Sequence, residues 1–140
     1  MMTPDIFYVE DDPDFAFFME NAVREVNQDL KLSVVPNGAE AIDKLKKLAD
    51  DNYTPGLILL DMNLPGLSGL EVLRAIKQTP RLKYIPVLFF TTSDNPKDVK
   101  SSLEYGANAY LTKPDGYDKL VNCMKSLHDF WFKHTITSVN

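Results

Sequence analysis

The chain has 140 residues and a net charge of −5, with 15 Lys and Arg against 20 Asp and Glu. That length fits one domain with a sizeable core, and the acidic balance argues against non-specific binding to nucleic acid or anionic membranes. No apolar run approaches the about 20 residues that cross a bilayer, Met1–Asp5 lacks the features of a signal peptide, and Cys123 is the only cysteine, so a reducing cytoplasm is the expected compartment.

The first apolar run, Ile6–Val9, ends in Glu10-Asp11-Asp12. Asp12-Pro13 has the chemistry of an N-cap followed by the first helical position, and Phe15, Phe18, Met19, Ala22 and Val26 then form one apolar stripe at helical spacing. A second strand is expected over 32–35, and Asn37 with Glu40 has the spacing of a capping box for the helix after it. Leu57–Leu60 ends in Asp61, followed by the turn residues Pro65, Gly66 and Gly69 and by a second capping box, Ser68 with Glu71. The run 87–90 leads into Thr91-Thr92, and Asn95-Pro96 opens a helix that Gly106 closes. The last run, 109–111, leads into Thr112-Lys113-Pro114. A final helix is expected from about Asp115, with Leu120, Met124, Leu127 and Trp131 on one face. Phe130 and Phe132 flank that face on opposite sides, a pattern suited to docking or to a homodimer.

Five short runs rich in Val, Leu, Ile and Phe, alternating with helical stretches, predict an α/β fold. The expected form is a (βα)5 flavodoxin-like doubly wound parallel sheet with strand order 2-1-3-4-5. One domain over residues 1–140 is expected, with no output domain. In such a sheet the acidic triplet, Asp61, Thr91 and Lys113 all emerge at the carboxyl edge, where open α/β sheets bind ligands.

Carboxylates converging there would repel one another unless a cation joined them, and hard oxygen ligands suit Mg²⁺. A carboxylate such as Asp61 can attack phosphorus and form an aspartyl phosphate, with Lys113 and Thr91 contacting other phosphoryl oxygens. Asp12 is better explained as a helix cap and is left out of the metal set. His128 and His134 fall at the end of the last helix, where a basic group favours the helix terminus, and Cys123 reads as a small core residue.

These residues resemble the receiver domain of two-component response regulators. The likeness rests on Glu10-Asp11, on Asp61-Met62-Asn63-Leu64-Pro65-Gly66-Leu67-Ser68-Gly69, on Thr91, and on Tyr110-Leu111-Thr112-Lys113-Pro114, in the family's order and over essentially the whole chain. It implies that Asp61 is the phosphoacceptor, served by a sensor histidine kinase or a phosphotransfer protein. It further implies that Asp11 binds Mg²⁺ directly, Glu10 through water and Asn63 through its backbone carbonyl. Thr91 and Tyr110 would be the switch pair, the hydroxyl moving toward the phosphoryl group and the ring turning inward behind it. The signal would then pass through contacts with a downstream protein, with neither nucleic acid nor membrane as a direct partner and without turnover catalysis. The chain departs from the family at Leu64, where Met is usual, at Asp115, where Phe is frequent, and at Thr92, where a small residue is frequent. Tail and body together are similar to the small stand-alone regulators that pair with phytochrome-type and other sensor kinases.

Other readings fit less well. A flavin-binding protein of this fold needs an anion-accepting loop after the first strand, and Glu10-Asp11-Asp12 would repel a phosphate. A phosphatase of the haloacid dehalogenase type places a second Asp two residues after its nucleophile, where this chain has Asn63. The remaining alternative is a degenerate receiver that only binds proteins.

Overall fold

All five expected strands form, and two of them run one residue further than the apolar runs suggest. The computed structural model describes residues 4–134, apart from the side chain of His134. In chain order the elements are β1 (Ile6–Val9), α1 (Pro13–Val26), β2 (Leu32–Val35), α2 (Gly38–Asp50), β3 (Leu57–Leu60) and α3 (Gly69–Gln78). They continue with β4 (Val87–Thr91), α4 (Pro96–Glu104), β5 (Ala109–Thr112) and α5 (Tyr117–His128), followed by a π-helical turn, Asp129–His134. The strands pair in parallel in the order β2-β1-β3-β4-β5, as predicted.

Alternation along each strand divides the core into two layers. Phe7, Val9, Ile58, Leu60, Val87 and Phe89 face one side and pack with Ala41, Leu45, Val72, Leu73 and Ile76 of α2 and α3. Ile6, Tyr8, Leu57, Leu59, Leu88 and Phe90 face the other and pack with Met19, Ala22 and Val23 of α1 and Leu120, Met124 and Leu127 of α5. The three central strands are thus buried on both faces, which is why their sequences are continuous apolar runs rather than alternating ones.

The caps match the sequence with one difference. Asp12 accepts from the Asp14 and Phe15 amides at the start of α1, and Ser68 with Glu71 forms the full reciprocal box at α3. At α2 the Asn37 side chain accepts from the Glu40 amide at 2.9 Å, which supplies one half of the expected pair. α4 closes as expected: the Ala107 amide bonds the Ser102 carbonyl and the Gly106 amide bonds the Leu103 carbonyl.

Three expectations need correction. α5 begins at Tyr117 rather than near Asp115, because Gly116 at the cap position has φ 144°, a conformation closed to most residues, and Asp115 instead pairs with Lys119. In α1, Phe18 is exposed and Val23 takes its place on the buried stripe. The last helix does not continue as an ideal wheel past His128. Through the π-helical turn, Trp131 and Phe132 both pack on the α1–α5 side of the core, and Phe130 alone of the three is exposed. Cys123 is half-buried in the same layer, where burial pushes its thiol pKa up and keeps it protonated. The imidazole of His128 stacks on Phe132 and lies 3.3 Å from the Asn27 amide nitrogen, among structural groups. Among the described residues no helix is long and apolar enough to cross a membrane.

Candidate functional site

Strand register brings the chemistry together. Val9 pairs with Leu60, and the Asp61 amide donates to the Val9 carbonyl at 3.2 Å, so Glu10 and Asp61 leave neighbouring strands at one level. On the other side, Thr91 pairs with Thr112 and the Lys113 amide donates to the Thr91 carbonyl at 2.8 Å. The loop after β3 turns so tightly that a Cβ built on Gly69 would stand 2.8 Å from Phe89 Cε1 and 2.9 Å from Met62 Cα. Only glycine fits there without moving the loop that carries Asp61.

Both oxygens of Asp61 are engaged. Oδ1 accepts from the Thr91 hydroxyl at 2.8 Å and from the Asn63 amide at 3.2 Å, and Oδ2 faces Lys113 Nζ at 2.9 Å. Glu10 is held as firmly. Its Oε1 accepts from the Tyr8 hydroxyl at 2.7 Å and pairs with Lys113, and its Oε2 accepts from the Asp12 amide at 3.1 Å. The Lys113 ammonium therefore sits between two carboxylates, 4.5 Å over the ring of Phe15. Glu10, Asp61 and Thr91 are only 2%, 6% and 0% exposed, whereas Asp11 is exposed.

Electrostatics follow from this packing. Burial drives the Glu10 carboxyl pKa above its ordinary value, although Lys113, Tyr8 and the Asp12 amide all pull the other way. Burial opposes the charge on Lys113, but Glu10 and Asp61 outweigh it and hold the ammonium pKa above its usual value. The phenol of Tyr8, buried beside a carboxylate, keeps its proton throughout the physiological range.

One oxygen from each of Glu10, Asp11 and Asp61 lies within 4.8 Å of the others. Three carboxylates against one ammonium leave negative charge in excess. Among the described residues the Asp11 carboxylate makes no hydrogen bond or ion pair, so it has lone pairs to offer. An all-oxygen, net-negative set of this size fits a hard divalent cation.

Behind Asp61, the ring of Tyr110 stacks on Phe89 at 5.9 Å and its hydroxyl donates to the Ser93 carbonyl at 2.7 Å. The Ser93 hydroxyl in turn donates to Asp98 in α4 at 2.8 Å. The Thr91 hydroxyl thus points at Asp61, while Tyr110 lies half-buried against the core. The residues expected at the site, Glu10, Asp11, Asp61, Thr91 and Lys113 from the strand ends and Asn63 from the family resemblance, lie in this cluster, with Tyr110 one step behind. Asp12 stays with its helix. Tyr8, Phe15 and Asp98 also border the site, outside the motifs that mark it in the sequence. The period of two along β1 is the signal that puts Tyr8 on the same side as Glu10.

A family model described as the response regulator receiver domain matches residues 6–125. The chain belongs to this family. Receiver domains are signalling proteins that work with histidine kinases or phosphotransfer partners. The chain is 37% identical over 134 residues to response regulator Rcp1 of Synechocystis sp., a match covering 94% of this chain and 90% of that protein. Among solved structures it is similar to the phosphorylated cyanobacterial phytochrome response regulator RcpA, with a TM-score of 0.89 and 32% identity over 99% of this chain and 100% of that one. It is also similar to the Mn²⁺-bound form of Rcp1, with a TM-score of 0.80 and 35% identity over 97% and 100%. In this receiver the carboxylates of Glu10, Asp11 and Asp61 and the Lys113 ammonium lie in one cluster.

Proposed function

We propose that this receiver accepts a phosphoryl group on Asp61 from the phosphohistidine of a sensor histidine kinase or phosphotransfer protein, with Mg²⁺ as cofactor. In that step Asp61 Oδ attacks phosphorus. The P–N bond to the donor imidazole breaks, and its electron pair stays on the ring nitrogen, which takes up a proton from solvent. The product is an acyl phosphate. The observation that carries the reading is the Asp61 carboxylate itself, held between the Thr91 hydroxyl and the Lys113 ammonium at 2.8 and 2.9 Å. Those two groups stand where donors to phosphoryl oxygens are needed, and such fixed donors are the main source of rate in phosphoryl transfer.

Asp11, Asp61 and the Asn63 backbone carbonyl would hold the cation directly, and Glu10 would hold it through water. Bound there, Mg²⁺ would offset the negative charge that builds on the phosphoryl group. Thr91 and Tyr110 act as the switch, and the chain Ser93–Asp98 carries their position to α4. On this reading the protein works in the cytoplasm and signals to a downstream protein through the face around β4, α4 and β5.

Beryllofluoride, which mimics a phosphoryl group on a carboxylate, tests the reading. Fluorine NMR of the protein with beryllofluoride and Mg²⁺ is expected to give bound signals that EDTA removes and that Asp61→Asn never shows. Absence of bound signal at millimolar Mg²⁺ would favour the degenerate receiver, a binding module without the chemistry.

A further inference from the structure

We infer that Phe15 is a positioning residue that holds the Lys113 ammonium at Asp61 by accepting, with the face of its ring, the N–H that neither carboxylate takes. This rests on the phosphoacceptor reading above. An ammonium has three N–H donors and no acceptor. On Lys113 one goes to Glu10 and one to Asp61 Oδ2 at 2.9 Å. The third has the ring of Phe15, whose centroid lies 4.5 Å from Nζ. The Lys113 side chain is only 8% exposed, so water has little room to serve that proton instead. The ring is fixed in turn at two points. Phe15 is the third residue of α1, and its amide donates to the Asp12 side chain at 3.4 Å at the helix start. Its ring meets that of the buried Phe90 edge-on at 5.9 Å. The ring is thus tied both to the acidic loop after β1 and to the strand that ends in Thr91.

The consequence lies in the transfer step. While Asp61 is a free carboxylate, it and Glu10 hold the ammonium from two sides. When an Asp61 oxygen bonds to phosphorus, the carboxylate gives up its charge and Lys113 turns to a phosphoryl oxygen. Glu10 is then the one fixed oxygen partner left from the resting site, and a single bond lets the ammonium pivot. The Phe15 face is the second fixed point. It attracts positive charge, and that attraction grows as the pair loses water. A leucine there would fill similar space but accept no N–H. The third proton would then have to be met by water beside the acyl phosphate, or by turning the ammonium outward. Either change weakens a fixed donor of the kind on which phosphoryl transfer depends.

Fluorination of the ring separates its attraction for charge from its bulk, since fluorine draws electron density from the ring face and barely alters the shape. The whole chain, with phenylalanine or its mono-, di- or trifluorinated form in place of Phe15, is treated with phosphoramidate and Mg²⁺. Asp61 Oδ attacks phosphorus, the P–N bond breaks, and ammonia leaves with the electron pair. Intact mass follows the rate of adduct formation. That rate is expected to fall stepwise along the series, by about 5- to 10-fold at the trifluorinated member. Phe15→Tyr, which keeps the ring face, is expected to stay within roughly twofold of the wild type, and Phe15→Leu to be at least as slow as the trifluorinated protein. By NMR, the ε-methylene protons of Lys113 are expected upfield of those of other lysines, a ring-current shift that Phe15→Leu removes. A rate that stays level along the series would overturn the role of Phe15 even if Phe15→Leu is slow or folds poorly, as would an unshifted Lys113 methylene. A wild type that forms no adduct would overturn the phosphoacceptor reading itself, a separate and recognisable result.

Discussion

The bodies of the strands and their carboxyl ends are built on opposite principles. Within β1, β3 and the first four residues of β4 the side chains are apolar or, for Tyr8, largely so, and they are almost wholly removed from water. One step further along, equally buried positions carry Glu10, Asp61 and Thr91. In the bodies many residues share one task, and a Val or Ile could replace a Leu with modest effect. At the ends each group has a single partner set: Thr91 and Lys113 on Asp61, Tyr8 and Lys113 on Glu10. Stability is therefore spread over the bodies, and chemistry is concentrated in a few side chains that the bodies only hold in place.

The largest expected effect lies in the bodies. Phe89→Ala removes a fully buried ring that stacks on Tyr110, and the expected loss is about 3–5 kcal/mol in urea unfolding. A loss under about 1 kcal/mol would mean that stability is not lodged there. Next is Lys113→Met, which leaves Glu10 and Asp61 buried without their cation and should cost about 3 kcal/mol near neutral pH. Its pH dependence has a definite sign. Glu10 already has a native pKa above its ordinary value, and loss of Lys113 raises it further. The native variant then takes up a proton at a higher pH than the unfolded chain, so its deficit narrows as the pH falls through that window. Melting curves at a series of pH values would show it, and a deficit that widens toward acid would contradict the ion pairing.

Gly69→Ala sits on the boundary between the two regions. Its methyl would press on Phe89 and on the Met62 backbone, with an expected cost of about 2 kcal/mol and a weakened Mg²⁺ affinity, because the displaced loop carries Asp61. Melting and calorimetry on the same sample would read both. The smallest effect belongs to Ser68→Ala, which removes a helix cap away from the metal ligands. About 1 kcal/mol of stability should be lost with no change in metal binding.

Most of the fold was legible in the sequence because continuous apolar runs, caps and turn residues agreed with one another. Strand ends were legible for the same reason: a charged residue directly after a buried run has few places to go. The register that puts Thr91 on Asp61 and Lys113 on Glu10 needed the family resemblance or the structure, since pairing between distant strands leaves no local mark. α5 starts at Tyr117, two residues past Asp115, because the φ of Gly116 that delays the helix is a property of the turn as a whole. The sequence places Phe130 and Phe132 on opposite flanks of the last helix's core face, and a regular helical wheel does not anticipate the π-helical turn after His128 that packs Phe132 against the core. Tyr8 reads as core in the sequence, because an aromatic in a buried run looks like core until its hydroxyl is given a partner.

The central claim is that the strand ends, and Asp61 in particular, form a metal-dependent phosphoacceptor. Intact mass after incubation with a small-molecule phosphodonor tests it most directly, run with Mg²⁺, with EDTA, and with Asp61→Asn. The account predicts a single phosphoryl adduct that requires Mg²⁺ and is abolished by the substitution. An adduct that survives Asp61→Asn, or none at all in a folded wild-type protein with Mg²⁺, would contradict it.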